Sequence, residues 1–203
     1  MIENTAYKRA YWFGASDASK ITSKNTATST YKEWWDIKCG RLESNFGNIY
    51  TEAGTLFEHP ILRAIDENIR LDLELRNPEL CLRVHYDGDH NGVIEECKTF
   101  KASKVFEVSK AYWQQAQVEM YMYQEFYTGF RGLNIVAYPM TGDDYKLYFE
   151  DQVEINPDKI QKFPVKYDKY FIQKEIIPAL KMLSKKLKKE VGKDSGIWEL
   201  SEW

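Results

Sequence analysis

Apolar positions recur at helical spacing in several stretches of the chain and at strand spacing in others. Near the C-terminal end Ile176, Leu180, Leu183, Leu187 and Val191 form one stripe, with Lys185, Lys186, Lys188 and Lys189 outside it. That pattern predicts an amphipathic helix, with Pro178 near its start or kinking it. Leu56, Ile61, Ala64 and Ile65 make the inner stripe of a helix over residues 50–68, where Pro60 predicts a kink or a split. Residues 30–39 read as a helix stopped by Gly40, and residues 112–127 as another that closes at Gly129. A short helix is expected over residues 15–22, entered through a Gly14 turn and capped by Ser16 or Asp17. After the polar stretch around Asn77-Pro78 the period changes to two. Residues 82–86 and 93–100 read as strands joined by a turn from Gly88 to Gly92. Residues 133–138 and 145–150 predict a second hairpin around Thr141-Gly142-Asp143-Asp144. The order of elements predicts an α/β fold, a small mixed β-sheet flanked by helices, with a C-terminal helical region over about residues 157–192.

With 203 residues, 43% of them apolar, the chain suits one domain with a real core and is too short for two ordinary ones. No repeat, low-complexity tract or Pro/Gly/Ser linker divides it, so residues 1–203 are read as a single domain. A net charge of −3 does not mark a bulk nucleic-acid binder. A basic groove needs only a few residues, however, and Lys101, Lys104 and Lys110 stand just past the second predicted strand, where they line such a groove or simply face water. Cys39, Cys81 and Cys97 form no CxxC pair, which argues against a disulfide framework, structural zinc and a four-cysteine cluster. The N-terminal residues carry no apolar run and nothing later approaches a membrane span, so a cytoplasmic protein with no membrane partner is expected.

The chemistry concentrates in Arg83-Val84-His85-Tyr86-Asp87-Gly88 and Gly92-Val93-Ile94-Glu95-Glu96-Cys97-Lys98. Two carboxylates, Asp87 and Glu96, supply hard oxygen ligands to Mg²⁺, for which Mn²⁺ substitutes, and such an ion keeps waters free to attack a phosphate. Lys98 lies two residues beyond Glu96 and shares its face, where it activates a water or neutralises developing charge. The Cys97 carbonyl is a further oxygen ligand; its sulfur is not, because Mg²⁺ disfavours thiolate. The plain alternative is a solvated hairpin, since turns are rich in Asp and Gly and surface strands carry Glu and Lys. Val93, Ile94, Cys97 and Phe100 make this strand apolar enough to be central, and buried Glu and Lys are costly unless paired or metal-bound. Asp89 and His90 fall in the predicted turn and are expected to be solvated. Trp34, Trp35 and Trp113 read as packing residues, and residues 197–203 as a strand, a frayed end or a docking tail.

Four ordered segments resemble the lambda-exonuclease (YqaJ-like viral recombinase) branch of the PD-(D/E)xK nucleases. They are Gly14-Ala15-Ser16-Asp17-Ala18-Ser19, with Arg9 seven residues ahead of Ser16; Gly54-Thr55-Leu56-Phe57-Glu58; Asp87-Gly88 with Glu96-Cys97-Lys98; and Trp113-Gln114-Gln115-Ala116-Gln117-Val118-Glu119-Met120. The resemblance spans residues 9–120 and departs from the family pattern at Tyr86, usually proline, and at Thr99-Phe100, usually Cys-Pro. It implies a restriction-endonuclease-like core and a Mg²⁺-dependent 5′→3′ double-strand DNA exonuclease of the phage type, acting in recombination. By the same resemblance Glu58 assists the metal, Gln115 stands near the active site, and Arg9 and Ser16 grip the 5′-phosphate. Ser16 is also read as a helix cap, Arg9 as a surface cation, and Glu58, Gln114 and Gln115 as polar-face residues. The implied partners are double-stranded DNA ends and a single-strand annealing protein, in a ring-shaped homotrimer within the cytoplasm of the host cell. Two alternatives stay open: a structure-specific or restriction-type endonuclease of the same fold, and a non-catalytic DNA-end or protein-binding module.

Overall fold

The computed structural model describes residues 10–43, 49–145, 153–192 and 197–198. A 3₁₀ turn, Ala15–Asp17, runs into α1 (Ala18–Ile21), followed by α2 (Ser29–Lys38) and α3 (Ile49–Ile65). The strands are β1 (Arg70–Asn77), β2 (Leu82–His90), β3 (Val93–Lys101), β4 (Gly132–Met140) and β5 (Gln161–Val165), with α4 (Lys110–Phe126) between β3 and β4. The chain then forms α5 (Lys169–Phe171), a π turn over Ile172–Ile176 and α6 (Ile177–Val191). Among the described residues the five strands make one mixed sheet in sequence order, antiparallel except for the β3–β4 pair. The parallel pair requires a crossover, and α4 supplies it. This is the expected α/β architecture, a mixed sheet flanked by helices.

Period-two alternation divides the sheet between two apolar cores. Ile94, Leu133, Ile135 and Ala137 face α4 and α6, where Val118, Met120, Leu180 and Leu187 close the layer. Cys97, Val136 and Tyr138 face α3, which contributes Ala53, Phe57, Ile61 and Leu62. Each fully buried large side chain of this kind stabilises the fold by roughly 1.5–3 kcal/mol. The α6 stripe is as predicted: Ile176, Leu180, Leu183 and Leu187 are buried, and Pro178 stands in the first turn, where it has no helical N–H to lose.

Several expectations are corrected. The α3 stripe is Ala53, Phe57, Ile61 and Leu62, whereas Leu56 faces solvent; the helix stops at Ile65 and continues unbroken through Pro60. Residues 70–77, to which the apolar pattern assigns no element, are an edge strand. The β2–β3 turn is only Asn91-Gly92, both at positive φ (50° and 79°), so Gly88, Asp89 and His90 belong to β2. β4 pairs with β3 and β5; the second strand of the predicted hairpin, residues 145–150, lies outside the described residues except for Tyr145. The C-terminal region is not all helical, because β5 lies within it. Trp198 is a core residue whose indole Nε1–H donates to the Tyr11 carbonyl at 2.9 Å, not part of a frayed end.

The side-chain alternation of β2 slips at one place. Tyr86 faces α4 and donates its hydroxyl to the Glu119 carbonyl at 2.9 Å; Asp89 also faces α4, accepting from the Tyr123 hydroxyl at 2.9 Å. Gly88 between them backs onto α3, where an added Cβ would stand 2.8 Å from Ile69. The slip therefore falls at Asp87-Gly88. Asp72, between the pairs Leu71↔Gly88 and Leu73↔Tyr86, shares the irregularity with φ +57°.

Candidate active site

β2 and β3 are joined only from Gly88↔Glu95 to His90↔Val93; beyond Gly88 they part. Asp87 and Glu96 sit at that fork, and the Cys97 N–H reaches across it to donate to Asp87 Oδ2 at 2.8 Å. Because Cys97 points its thiol into the α3 core, only its backbone is available here. Glu96 and Lys98 project to the α4 side, where the Lys98 ammonium bonds Glu96 Oε1. Gln115, on α4, donates through Nε2 to Glu96 Oε1 at 2.6 Å and to Glu119 Oε1 at 2.8 Å. Glu58 enters from α3, one helical turn beyond Gly54, where the helix backbone comes so close to β3 that an added Cβ would lie 3.2 Å from Thr99 Oγ1. Together these groups line a cavity of about 310 Å³ that also touches Ser16, Asp17, Lys38, Arg83 and His85.

Its electrostatics are those of a carboxylate cluster short of positive charge. Burial and the neighbouring Glu96 push the Glu58 carboxyl up to about 7. Burial, then Glu96 and Glu58, raise Asp87 well above the ordinary carboxylate value. Glu119 is raised in the same way, by burial and then Glu96. Burial works against the Lys98 charge, but Glu96 and Asp87 outweigh it and hold the lysine protonated well into the alkaline range. The Glu95, Glu96 and Glu119 Oε2 atoms are buried with no hydrogen-bonding partner among the described residues, that of Glu95 on the opposite, α3 face of β3. A buried carboxylate oxygen without a donor is strongly disfavoured unless a cation meets it. Oxygen-only donors of this kind fit Mg²⁺ or Mn²⁺, and Asp87, Glu96, the Cys97 carbonyl and Glu58 are the residues that would hold it.

The other predicted residues are placed as follows. Ser16 is exposed on the cavity rim. It is not the helix cap; Asp17 accepts from the Gly14 N–H at 2.7 Å, and its carboxylate also takes Trp34 Nε1–H at 2.8 Å and Lys38 Nζ at 2.6 Å. Arg9 lies outside the described residues. Gln117 is structural, tied to Lys166 and Asp168, and Gln114 meets Thr22. Asp89 and His90 are not solvated: Asp89 is buried against Arg70 and Tyr123, and His90 bridges Asp66 and Glu95, 3.1 Å from each. Sequence reasoning assigned no role to Glu119, although it stands four residues after Gln115, the spacing that puts two side chains on one helix face. Beside the cavity His59 Nε2 and His85 Nε2 approach Asp72 at 2.9 and 3.5 Å, in half-exposed ion pairs.

No family model matches the sequence, and no curated protein is similar to it at a significant level. Solved structures are similar in shape. An alkaline exonuclease (LHK-Exo) from Laribacter hongkongensis superposes with a TM-score of 0.63 at 17% identity, over 94% of each chain. LHK-Exo in complex with dAMP gives 0.62 at 18% identity, over 90% of this chain and 91% of that one. A phage related exonuclease from Haemophilus somnus 129PT gives 0.59 at 18% identity, over 92% and 98%. The chain shares their fold. At such identity the likeness extends to the arrangement of helices and sheet, and the chemistry must be argued from the fork itself.

Proposed function

We propose that this protein is a Mg²⁺-dependent deoxyribonuclease, a 5′→3′ double-strand DNA exonuclease of the phage type that acts in recombination. The observation that carries the reading is the fork: Asp87, Glu96 and Glu58 from three different elements converge beside Lys98, and Glu96 keeps a buried oxygen with no donor. The similarity in fold to proteins described as exonucleases supports the same reading.

A divalent ion bound there would supply a nucleophilic water and stabilise charge on the phosphate. Asp87 and Glu96, with the Cys97 carbonyl, hold that ion, and Glu58 assists from α3. Lys98, kept as an ammonium by the two carboxylates, orients the attacking water and neutralises charge as the water oxygen bonds to phosphorus and the P–O3′ bond breaks, the water's proton passing to solvent and a solvent proton capping the departing 3′-oxygen. Gln115 fixes the rotamer of Glu96 through its amide. Ser16 on the rim, together with Arg9, binds the terminal 5′-phosphate and so directs cutting from an end. In this account one strand is removed while the other is left for a single-strand annealing protein, and the active form is a ring-shaped homotrimer in the host cytoplasm.

The test is digestion of linear duplex, with and without a 5′-phosphate, in Mg²⁺, in Mn²⁺ and in EDTA, beside closed circular duplex. Mononucleotides released from phosphorylated linear ends in either metal, with circles intact and EDTA abolishing release, is the expected result. Cutting of the circles would make the enzyme an endonuclease, and inertness in both metals would make it a binding module.

A further inference from the structure

The Lys98 ammonium has to stay at the fork in two electrical situations, and the carboxylates satisfy only one of them. In the first its partner is Glu96 Oε1. When Glu96 turns its oxygens to a bound cation, that partner is lost, and a flexible four-carbon stem lets the ammonium swing out to water. The α4 side offers a second partner. Lys98 Nζ stands over the Tyr112 ring, 5.3 Å from its centroid, within the reach at which an aromatic face attracts a cation. The Lys98 side chain is only 20% exposed, so this contact is partly desolvated and worth more than the same pair on an open surface.

The ring is fixed by its own surroundings. Ser109 caps α4 and accepts the Tyr112 N–H at 3.2 Å, which sets Tyr112 in the first helical turn. Phe106, in the loop leaving β3, stacks on the ring with centroids 6.1 Å apart and planes 9° from parallel. Phe106 is itself buried against Phe100 of β3 at 5.3 Å and Phe163 of β5 at 5.2 Å. Two strands and a helix cap thus hold one aromatic face against the lysine of the carboxylate cluster.

Resting on the nuclease reading above, we propose that Tyr112 is a positioning residue for Lys98, its ring face keeping the ammonium at the fork while Glu96 is engaged by a cation. It acts only through Lys98. The partner is the π face rather than the hydroxyl, so phenylalanine suffices at this position and an aliphatic side chain of similar bulk does not.

The rival explanation is that Tyr112 merely fills space beside Phe106. Hydrolysis of saturating linear duplex in Mg²⁺ separates the two. Tyr112→Leu is expected to lower the rate about ten- to thirtyfold, the range of a partly desolvated cation–π contact, and Tyr112→Phe to restore it. Phenylalanines carrying one, two and three ring fluorines at position 112 keep the volume while draining charge from the face, so the rate should fall at each step. In a Lys98→Ala background Tyr112→Leu should cost nothing further. Without DNA, the Lys98 ε-methylene protons of wild type should resonate upfield of an ordinary lysine by ring current, in EDTA and in Mg²⁺ alike, and at the ordinary position in Tyr112→Leu.

An active wild type with a flat fluorine series, a further loss in the Lys98→Ala background, or an upfield shift that vanishes in Mg²⁺ would overturn the role of Tyr112 and leave the nuclease reading intact. A wild type inert on duplex in Mg²⁺ and Mn²⁺ would overturn both. Melting temperatures of the same samples report folding, and the fluorinated series is expected to melt with the wild type.

Discussion

Glu95 and Glu96 are neighbours on β3, 1% and 3% exposed, and they live in opposite electrostatic surroundings. Glu95 faces the α3 side, where Lys162 at 2.9 Å, His90 at 3.1 Å and Asn134 at 3.3 Å gather on one of its oxygens. Nearby Asp89 is matched in the same way, by Arg70 at 2.6 and 2.8 Å and by the Tyr123 hydroxyl. Glu96 faces the α4 side among Asp87, Glu58 and Glu119, with Lys98 as its cation. The first group is balanced from within the chain; the second balances only if cations come from outside. Burial alone therefore does not separate a structural acid from a functional one on this strand. The count of opposite charges within reach does.

The comparison breaks first if the Glu96 side is dispensable. Asp87→Ala and Lys98→Ala are each expected to lower duplex hydrolysis on the order of 10³-fold, read as initial rates on linear DNA, while circular dichroism stays that of the wild type. On the Glu95 side the effect is expected in stability instead. Glu95→Ala leaves His90 and Lys162 without their acid and should cost about 2 kcal/mol in a denaturant midpoint series, less than a fully buried broken pair because Lys162 is 40% exposed. Cleavage per folded molecule should hardly change.

Acidity sharpens the contrast further. A carboxyl raised in the folded state favours the protonated form, so this cluster's contribution to the stability of the metal-free protein is fully present below the ordinary glutamate value. That stability is lost as pH rises through about 7, the Glu58 value. Mg²⁺ binds the ionised cluster, so its stabilising shift in melting temperature should be several degrees larger at pH 8 than at pH 5.5, measured by scanning fluorimetry. An equal shift at both values would remove the charge-deficit argument. The smallest expected effect concerns the rim. Ser16→Ala should reduce the preference for 5′-phosphorylated over 5′-hydroxyl ends by about tenfold, the worth of one hydrogen bond to a charged group, with little change on unphosphorylated duplex.

Much of this site was visible in the sequence because it is local. Asp87, Glu96 and Lys98 lie on one hairpin, and strand alternation alone puts the last two on one face. Glu119 was harder to see, since its role depends on how α4 packs against β3. The fold was less visible at the edges of the sheet. β1 carries a clear alternation, Leu71, Leu73 and Leu75 against Arg70, Asp72, Glu74 and Arg76, but it starts five residues after a helix and is assigned no element. β5 is short, contains Pro164 and owes its existence to pairing with β4, which no local pattern announces. The turn at Asn91-Gly92 carries the strongest hairpin signal in the chain, and a turn begun three residues too early, at Gly88, hid the pairing of Asp89 and His90.

The central claim is that the two adjacent glutamates divide chemistry from structure. Its most direct test is nucleotide release from 5′-phosphorylated linear duplex in Mg²⁺ by wild type, Glu95→Gln and Glu96→Gln in parallel, each normalised to folded protein. The account predicts release by wild type and Glu95→Gln at comparable rates, with Glu96→Gln reduced at least on the order of 10³-fold and EDTA silencing all three. Release by Glu96→Gln at the wild-type rate would contradict it.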